Sequence, residues 1–224
     1  MTFSVIAKCP DTGQFGVAAS TEMPAVGKLL THARAGVGAV ATQAQLNPYL
    51  GIDGIALLAD GLSASASLAS LKRQDPRIDT RQVAVIDRLG RTAAWTGPDC
   101  LAWAGAITRD GYSVQGNRLT GPEVLDRLDR MMAASAGAPL ADRFIEALEA
   151  ADFIGGDRKG EHSATIYIVD TEEYPLWDIR VDYHPNPMQE LRRLHDIFCE
   201  QLLPEMKRMP TRAHPGGSPK EHPA

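Results

Sequence analysis

Thr2, directly behind the initiator methionine, is the residue with the clearest chemical potential. A threonine at the N-terminus carries both groups needed to attack an amide. Its hydroxyl is the nucleophile, and its own α-amine, with an ordinary pKa of about 7.7–8.0, is neutral often enough to accept the proton. Removal of Met1 requires a small second residue, and threonine meets that requirement. The pattern indicates amide hydrolysis through an acyl-ester on Thr2; the alternative is an ordinary second residue.

Two further groups suit the same chemistry. Asn117 ends the segment Val-Gln-Gly-Asn, so its side-chain amide could donate a hydrogen bond to a tetrahedral oxyanion. The glycine-rich loop of residues 155–160 brings backbone N–H groups together with Arg158 and Lys159, which suits a substrate carboxylate. For both there is a structural alternative, since Gly-Asn pairs and glycine-rich polar loops commonly do no more than turn the chain.

These residues must be positioned by strands and helices that the sequence also predicts. Thr2 heads a strand, because residues 2–8 alternate in a strand's period, and a turn at residues 10–13 makes that strand the first arm of a hairpin. The predicted strands are residues 2–8, 14–20, 35–42, 82–87, 91–96, 111–115, 163–170 and 176–182. The predicted helices are residues 51–60, 63–74, one beginning at the capping box of 120–123, 140–151, and 186–204.

The order of these elements predicts the fold class. Strands that arrive as hairpins favour antiparallel sheets, and two sets of helices need two sheet faces to cover. We therefore expect an α+β fold, a four-layer α-β-β-α sandwich with two antiparallel sheets, over residues 1–208. Residues 209–224 are rich in proline, glycine, histidine and charge without apolar periodicity, so we expect a disordered tail.

Composition excludes several classes of function. The 224 residues are 44% hydrophobic and 23% charged with a net charge of −5, so bulk electrostatics does not attract nucleic acid. No apolar stretch is long enough for a membrane span, and the N-terminus lacks the pattern of a signal peptide, so we expect a cytoplasmic protein. The three cysteines show neither paired nor metal-ligand spacing, and we expect reduced thiols, no metal and no cofactor.

Several segments together resemble a bacterial family of the N-terminal-nucleophile (Ntn) hydrolase superfamily, catalogued as domain of unknown function ten-twenty-eight. The resemblance is carried by residues 2–7, 16–20, 33–43, 114–117 and 155–160, and continues weakly into 182–185. The chain departs from the family pattern at Lys159, where arginine is typical, and at His162, where glutamine is typical. The resemblance implies the α-β-β-α fold of proteasome-like proteins.

The resemblance also implies roles for individual residues. Superfamily enzymes of the proteasome kind place a lysine near the nucleophile, and Arg34 stands at a comparable distance along this chain; an arginine could act electrostatically but not transfer a proton. The alternative is a surface arginine. Glu22 either pairs with Arg34 or is a plain loop charge. The candidate catalytic residues are Thr2, Arg34 and Asn117, and the candidate substrate-binding residues are Ser20, Glu22, Thr42, Gln43, Asp157, Arg158 and Ser163.

Three functions remain open at this point. The first is hydrolysis of a small amide or short peptide through Thr2. The second keeps the fold without the chemistry, as a binding or assembly protein. The third is a hydrolase centred on a serine or on Asp157 in the same cleft. In each case we expect a homodimer or larger homo-oligomer.

Overall fold

A computed structural model describes residues 2–156 and 158–218, and the structural statements below refer to these residues. The strands are β1 (Thr2–Lys8), β2 (Phe15–Thr21), β3 (Thr31–Arg34), β4 (Gly38–Ala44), β5 (Arg81–Asp87), β6 (Thr92–Thr96), β7 (Gly105–Arg109), β8 (Tyr112–Asn117), β9 (Ser163–Val169) and β10 (Trp177–Val181). The helices are α1 (Pro48–Ala59), α2 (Ala64–Gln74), α3 (Glu123–Ala134), α4 (Leu140–Phe153), α5 (Pro187–Ile197) and, after a π-helical segment at Phe198–Leu202, α6 (Leu203–Met206). None of these helices is long and apolar enough to cross a bilayer.

The strands form two sheets whose neighbours all run antiparallel. The larger sheet has the order β10-β9-β2-β1-β8-β7, and the smaller has the order β3-β4-β5-β6. Alternation along β1 assigns its two faces: Phe3 and Val5 pack under α3 and α4, while Ile6 packs against the smaller sheet. Helices α1 and α2 cover the outer face of the smaller sheet. The predicted four-layer α-β-β-α sandwich is therefore confirmed.

The layer between the sheets is built largely from small side chains. Fully buried alanines from both sheets meet there, with a few larger residues that fill the remaining space. Its members include Ala19, Ala39, Ala41, Ala84, Ile6, Val17 and Ile86. Small side chains allow close approach of the two backbones, which explains why the segment around Ala39 lacks the usual large and small alternation.

The sequence pattern missed the two edge strands β3 and β7, and it placed the start of β4 three residues too early. Residues 35–37, expected to begin a strand, form the turn between β3 and β4, with Gly36 at a φ of 69°. The strand itself begins at Gly38 and continues to Ala44. β7 is absent from the predicted strands, because it is a short edge strand whose side chains are half-buried or exposed and carry no apolar alternation.

Asp87 ties the end of β5 to the start of α2. Its carboxylate accepts hydrogen bonds from the backbone N–H groups of Ala64, Leu89 and Arg91, at 3.0, 2.9 and 3.2 Å, and from the Arg91 guanidinium at 2.8 Å. Burial alone would raise the pKa of Asp87, but these donors together outweigh burial and hold the pKa below its ordinary value.

We expect the stability of the fold to depend on the charge of Asp87. Because its pKa is lowered in the folded state, its contribution is present above the unfolded pKa of about 3.9 and is lost as the pH falls through the folded pKa. Asp87→Asn should lower the free energy of unfolding by about 1–3 kcal/mol at pH 7, and by less near pH 3. Urea unfolding of both proteins at the two pH values measures this; an equal difference at both would contradict it.

Candidate functional site

Thr2 occupies the centre of one open end of the sandwich. In the antiparallel register, Thr2 lies opposite Thr21 on β2 and opposite Asn117 on β8. Its side chain shares the inward face of β1 with Ser4 and Ile6, so it points between the two sheets. The residue is 8% exposed, and its Oγ1 lies 3.0 Å from Thr21 Oγ1, with either hydroxyl able to donate. The hydroxyl that the sequence singles out is thus held in place by a second hydroxyl.

A chain of buried amides and hydroxyls runs beneath Thr2. Gln115 Nε2 donates to Ser4 Oγ at 2.6 Å, Ser4 Oγ donates to Gln43 Oε1 at 2.6 Å, and Gln43 Nε2 donates to Gln82 Oε1 at 2.7 Å. Asn117 Nδ2 donates to the same Gln82 oxygen at 3.0 Å. Each of these residues is 2% exposed or less. Water does not reach their polar groups, so the protein itself supplies their hydrogen bonds.

Gln82 is the hub of this network and joins the two sheets. Its Nε2 lies 2.8 Å from Thr96 Oγ1, 2.9 Å from the Gly105 carbonyl oxygen and 2.9 Å from the Gly116 carbonyl oxygen. The first acceptor belongs to the smaller sheet and the other two to the larger sheet. A connected buried network of this kind fixes the position of one sheet relative to the other, and it fixes the Asn117 side chain next to Thr2.

A cavity of about 270 Å³ opens beside Asn117 at the same end of the sandwich. It is lined by Ala44, Gln45, Thr80, Asp99, Cys100, Leu101, Asn117 and Arg118. Two of these residues have left-handed backbone although neither is glycine, Ala44 at a φ of 68° and Arg118 at a φ of 58°. Non-glycine residues rarely adopt this conformation, and they often do so at functional sites.

Cys100 is the one thiol in the wall of this cavity. Burial raises the pKa of the Cys100 thiol, with a further increase from the charge of Asp99. Its Sγ donates to the Arg81 carbonyl oxygen at 3.3 Å. A thiol that stays protonated is a poor nucleophile, which favours Thr2 over Cys100 as the reactive group.

The glycine-rich loop also lies close to this end of the sandwich. Arg158 Nε donates to the Leu119 carbonyl oxygen at 2.9 Å, which anchors the loop next to the end of β8. Glu161 is 8% exposed, and its carboxylate fills the space that a side chain at Gly156 would need, close to the Phe3 ring. Asp157, a candidate substrate-binding residue, lies outside the described residues.

Arg34 is not near Thr2. It pairs with Gly38 at the start of β4, whereas the end of β4 that approaches Thr2 is the opposite one, at Ala44. Arg34 is exposed there, so the expected electrostatic role beside the nucleophile is not supported. Glu22 pairs instead with Lys159, whose Nζ lies 3.2 Å from Glu22 Oε1.

Four other candidate residues have structural partners. Ser20 Oγ donates to the Ser163 carbonyl oxygen at 3.1 Å, and Ser163 Oγ donates to the Met23 carbonyl oxygen at 2.6 Å. Thr42 lies on the face of β4 that points away from the other sheet, and its Oγ1 donates to the Asn47 carbonyl oxygen at 3.2 Å. Gln43 belongs to the buried network described above. Of the predicted set, Thr2, Asn117, Glu22 and Arg158 lie at the open end of the sandwich.

Sequence reasoning missed several residues of the site. The sequence pattern did not single out Gln82, Asp99 or Arg118, which reach this end of the sandwich from segments far along the chain from Thr2. The signal that could have found Gln82 is a polar residue at an inward position of an otherwise apolar strand, in Arg-Gln-Val-Ala-Val-Ile-Asp. Within residues 2–156 and 158–218 no group of three or more His, Cys, Asp or Glu side chains is placed to hold a metal ion.

The fold and the threonine-headed central strand define an α+β sandwich protein with a candidate site at the open end of its two sheets. A family model described as a family of unknown function (DUF1028) matches residues 2–191, and the chain belongs to that family. A crystal structure of a family member from Silicibacter pomeroyi is similar, with 28% identity and a TM-score of 0.91 over 100% of this chain and 97% of that one.

A second solved structure is less similar. Anbu, an ancestral beta-subunit from Yersinia bercovieri, has 12% identity and a TM-score of 0.42 over 88% of this chain and 97% of its own. No curated protein gives a significant match.

Proposed function

We propose that this protein is an Ntn-type amidohydrolase that cleaves a small amide through an acyl-ester on Thr2, after removal of Met1. The observation that carries the proposal is the position of the Thr2 hydroxyl. It is held by the Thr21 hydroxyl at 3.0 Å, at the open end of the sandwich and next to Asn117. A cavity wide enough for part of a small substrate begins at that same asparagine.

The proposed reaction needs few groups. The free α-amine of Thr2 accepts the hydroxyl proton as Oγ1 bonds to the amide carbon, and the same proton then passes to the leaving nitrogen as the C–N bond breaks. Water cleaves the resulting ester, which releases a carboxylic acid and restores Thr2. One N–H of Asn117 Nδ2 is given to Gln82, and the second is left to donate to the oxyanion.

The α-amine of Thr2 can act as the base although Arg34 lies away from the site. An α-amine with an ordinary pKa of about 7.7–8.0 is already partly neutral at neutral pH, so no neighbouring cation is required to lower it. We therefore assign Arg34 no part in the reaction.

Thr21→Val should slow acylation of Thr2 about tenfold. The change keeps the shape of the side chain but removes the hydroxyl that positions Thr2 Oγ1, and a lost neutral hydrogen bond of about 1.4 kcal/mol corresponds to that factor. The measurement is the rate of adduct formation with a β-lactone, followed by mass spectrometry. Thr21→Ser restores the hydroxyl and should restore most of the rate; equal rates in all three proteins would contradict the positioning role.

A non-catalytic binding or assembly protein is the second candidate. It is favoured by the groups closest to Thr2, because Thr21 and Asn117 are both neutral and each already makes a hydrogen bond within the protein. The two functions differ in one outcome. If β-lactone gives no adduct on Thr2 in protein that lacks Met1, the binding function is supported and the hydrolytic one is rejected.

A further inference from the structure

The cavity beside Asn117 carries two opposite charges that do not meet. Among the residues that line it, Arg118 is the only cation and Asp99 the only anion. The ion pairs within the described ranges include neither residue, so they are not paired with each other or with any other side chain there. A small cavity of this kind is complementary to a ligand that brings one negative and one positive group of its own.

Arg118 is held by strained backbone at the cavity wall. Its φ of 58° is the left-handed conformation, and its backbone N–H donates to the Leu101 carbonyl oxygen at 2.8 Å. An arginine gains nothing locally from this conformation, which a glycine or asparagine would adopt more readily. Strain that is retained at a charged residue in a cavity wall points to a requirement on where its side chain lies.

The size and position of the cavity limit what the ligand is. A volume of about 270 Å³ is at the low end for ligand sites, so it accepts a head group and not a long peptide. Thr2 does not line the cavity, but Asn117 does, and Asn117 is also the strand neighbour of Thr2. The charged head group would therefore sit to one side of the nucleophile, with the bond to be cleaved on an arm that passes Asn117.

We infer that the substrate is an ω-amide of an α-amino acid, such as a β-aspartyl or γ-glutamyl amide; this inference rests on the proposed function. The α-carboxylate binds Arg118, whose planar guanidinium matches a carboxylate, and the α-ammonium binds Asp99. The side-chain carbonyl reaches Thr2, and cleavage with one water releases an amine and a free dicarboxylic amino acid. A peptide with an ordinary α-linkage would place its charged groups on either side of the scissile bond and does not match this arrangement.

The first arm of the test measures binding without turnover. Calorimetric titration of the Thr2→Ala variant uses L-glutamine, N-acetyl-L-glutamine, which lacks the ammonium, and L-glutaminamide, which lacks the carboxylate. We expect each blocked compound to bind about ten- to a hundredfold more weakly than L-glutamine. Arg118→Gln should remove the penalty for the missing carboxylate, and Asp99→Asn the penalty for the missing ammonium. Arg88→Gln, an exposed arginine at the far end of β5, is the matched control and should change nothing.

The second arm measures turnover in wild-type protein. Release of 4-nitroaniline from γ-L-glutamyl 4-nitroanilide should exceed release from the α-linked isomer, and Arg118→Gln should raise KM more than it lowers kcat. Equal binding of the free and blocked compounds would overturn the head-group inference even if β-lactone labels Thr2. Selective binding of L-glutamine without any labelling of Thr2 would instead support the head-group site and reject the proposed hydrolysis.

Discussion

Replacement of Thr2 by alanine should abolish amide hydrolysis and leave the sandwich folded. The hydroxyl is the only group on this residue that forms the acyl-ester, so turnover falls to the uncatalysed background. The fold loses one neutral hydrogen bond, between Thr2 Oγ1 and Thr21 Oγ1, which is worth about 0.5–1.5 kcal/mol. The measurements are release of 4-nitroaniline from a panel of amino-acid anilides and the free energy of unfolding in urea.

Two further variants separate chemistry from packing at this position. Thr2→Ser keeps a hydroxyl and should retain measurable turnover, whereas Thr2→Val keeps the shape and should have none. Turnover that survives in Thr2→Ala would contradict the role of Thr2 and favour a hydrolase centred on a serine or on Asp157. Ser163 is a poor substitute, since its hydroxyl already donates to the Met23 carbonyl oxygen and accepts from the Val26 N–H.

Replacement of Gln82 by leucine should have the largest effect on stability. Leucine has nearly the same size but offers no acceptor to Gln43 Nε2 or Asn117 Nδ2, which are both buried. Each donor left without a partner costs about 1–3 kcal/mol, so we expect a loss of about 2–6 kcal/mol in the free energy of unfolding. Asn117 would also lose the contact that positions it, so acylation of Thr2 should slow in whatever fraction remains folded.

The matched control is Gln189→Leu on α5. Gln189 is exposed, and a surface substitution of this kind is expected to change stability by no more than about 0.5 kcal/mol. If Gln82→Leu and Gln189→Leu had the same urea midpoint, the buried network would not be the element that joins the two sheets.

Much of the fold could be predicted from local sequence patterns, because several of its hairpins and helices each form within one short segment. The hairpin of β1 and β2, the hairpin of β5 and β6, and the amphipathic helix α3 each follow from residues within a short segment. β3 and β7 could not be predicted in this way. Both are short and partly exposed at the edges of their sheets, so burial imposes little pattern on their residues.

Residues of the site could be predicted from the sequence only where the position of a residue within its strand determines where it lies. Thr2 and Asn117 mark the ends of their own strands, and antiparallel pairing then brings them together. Arg34 was misplaced because its distance along the chain does not reveal which end of a strand faces the site. Arg118 and Asp99 line one cavity whose walls come from four separate segments of the chain, and Arg118 depends on a left-handed backbone that no local sequence pattern predicts.

Catalysis by Thr2 is tested by the mass spectrum of the intact wild-type protein, before and after reaction with a β-lactone, with the adduct mapped by peptide sequencing. We expect the protein to lack Met1 and to gain a single adduct, located on Thr2 and absent from Thr2→Ala. Reactive protein that still carries Met1, or an adduct on another residue such as Cys100, would contradict it.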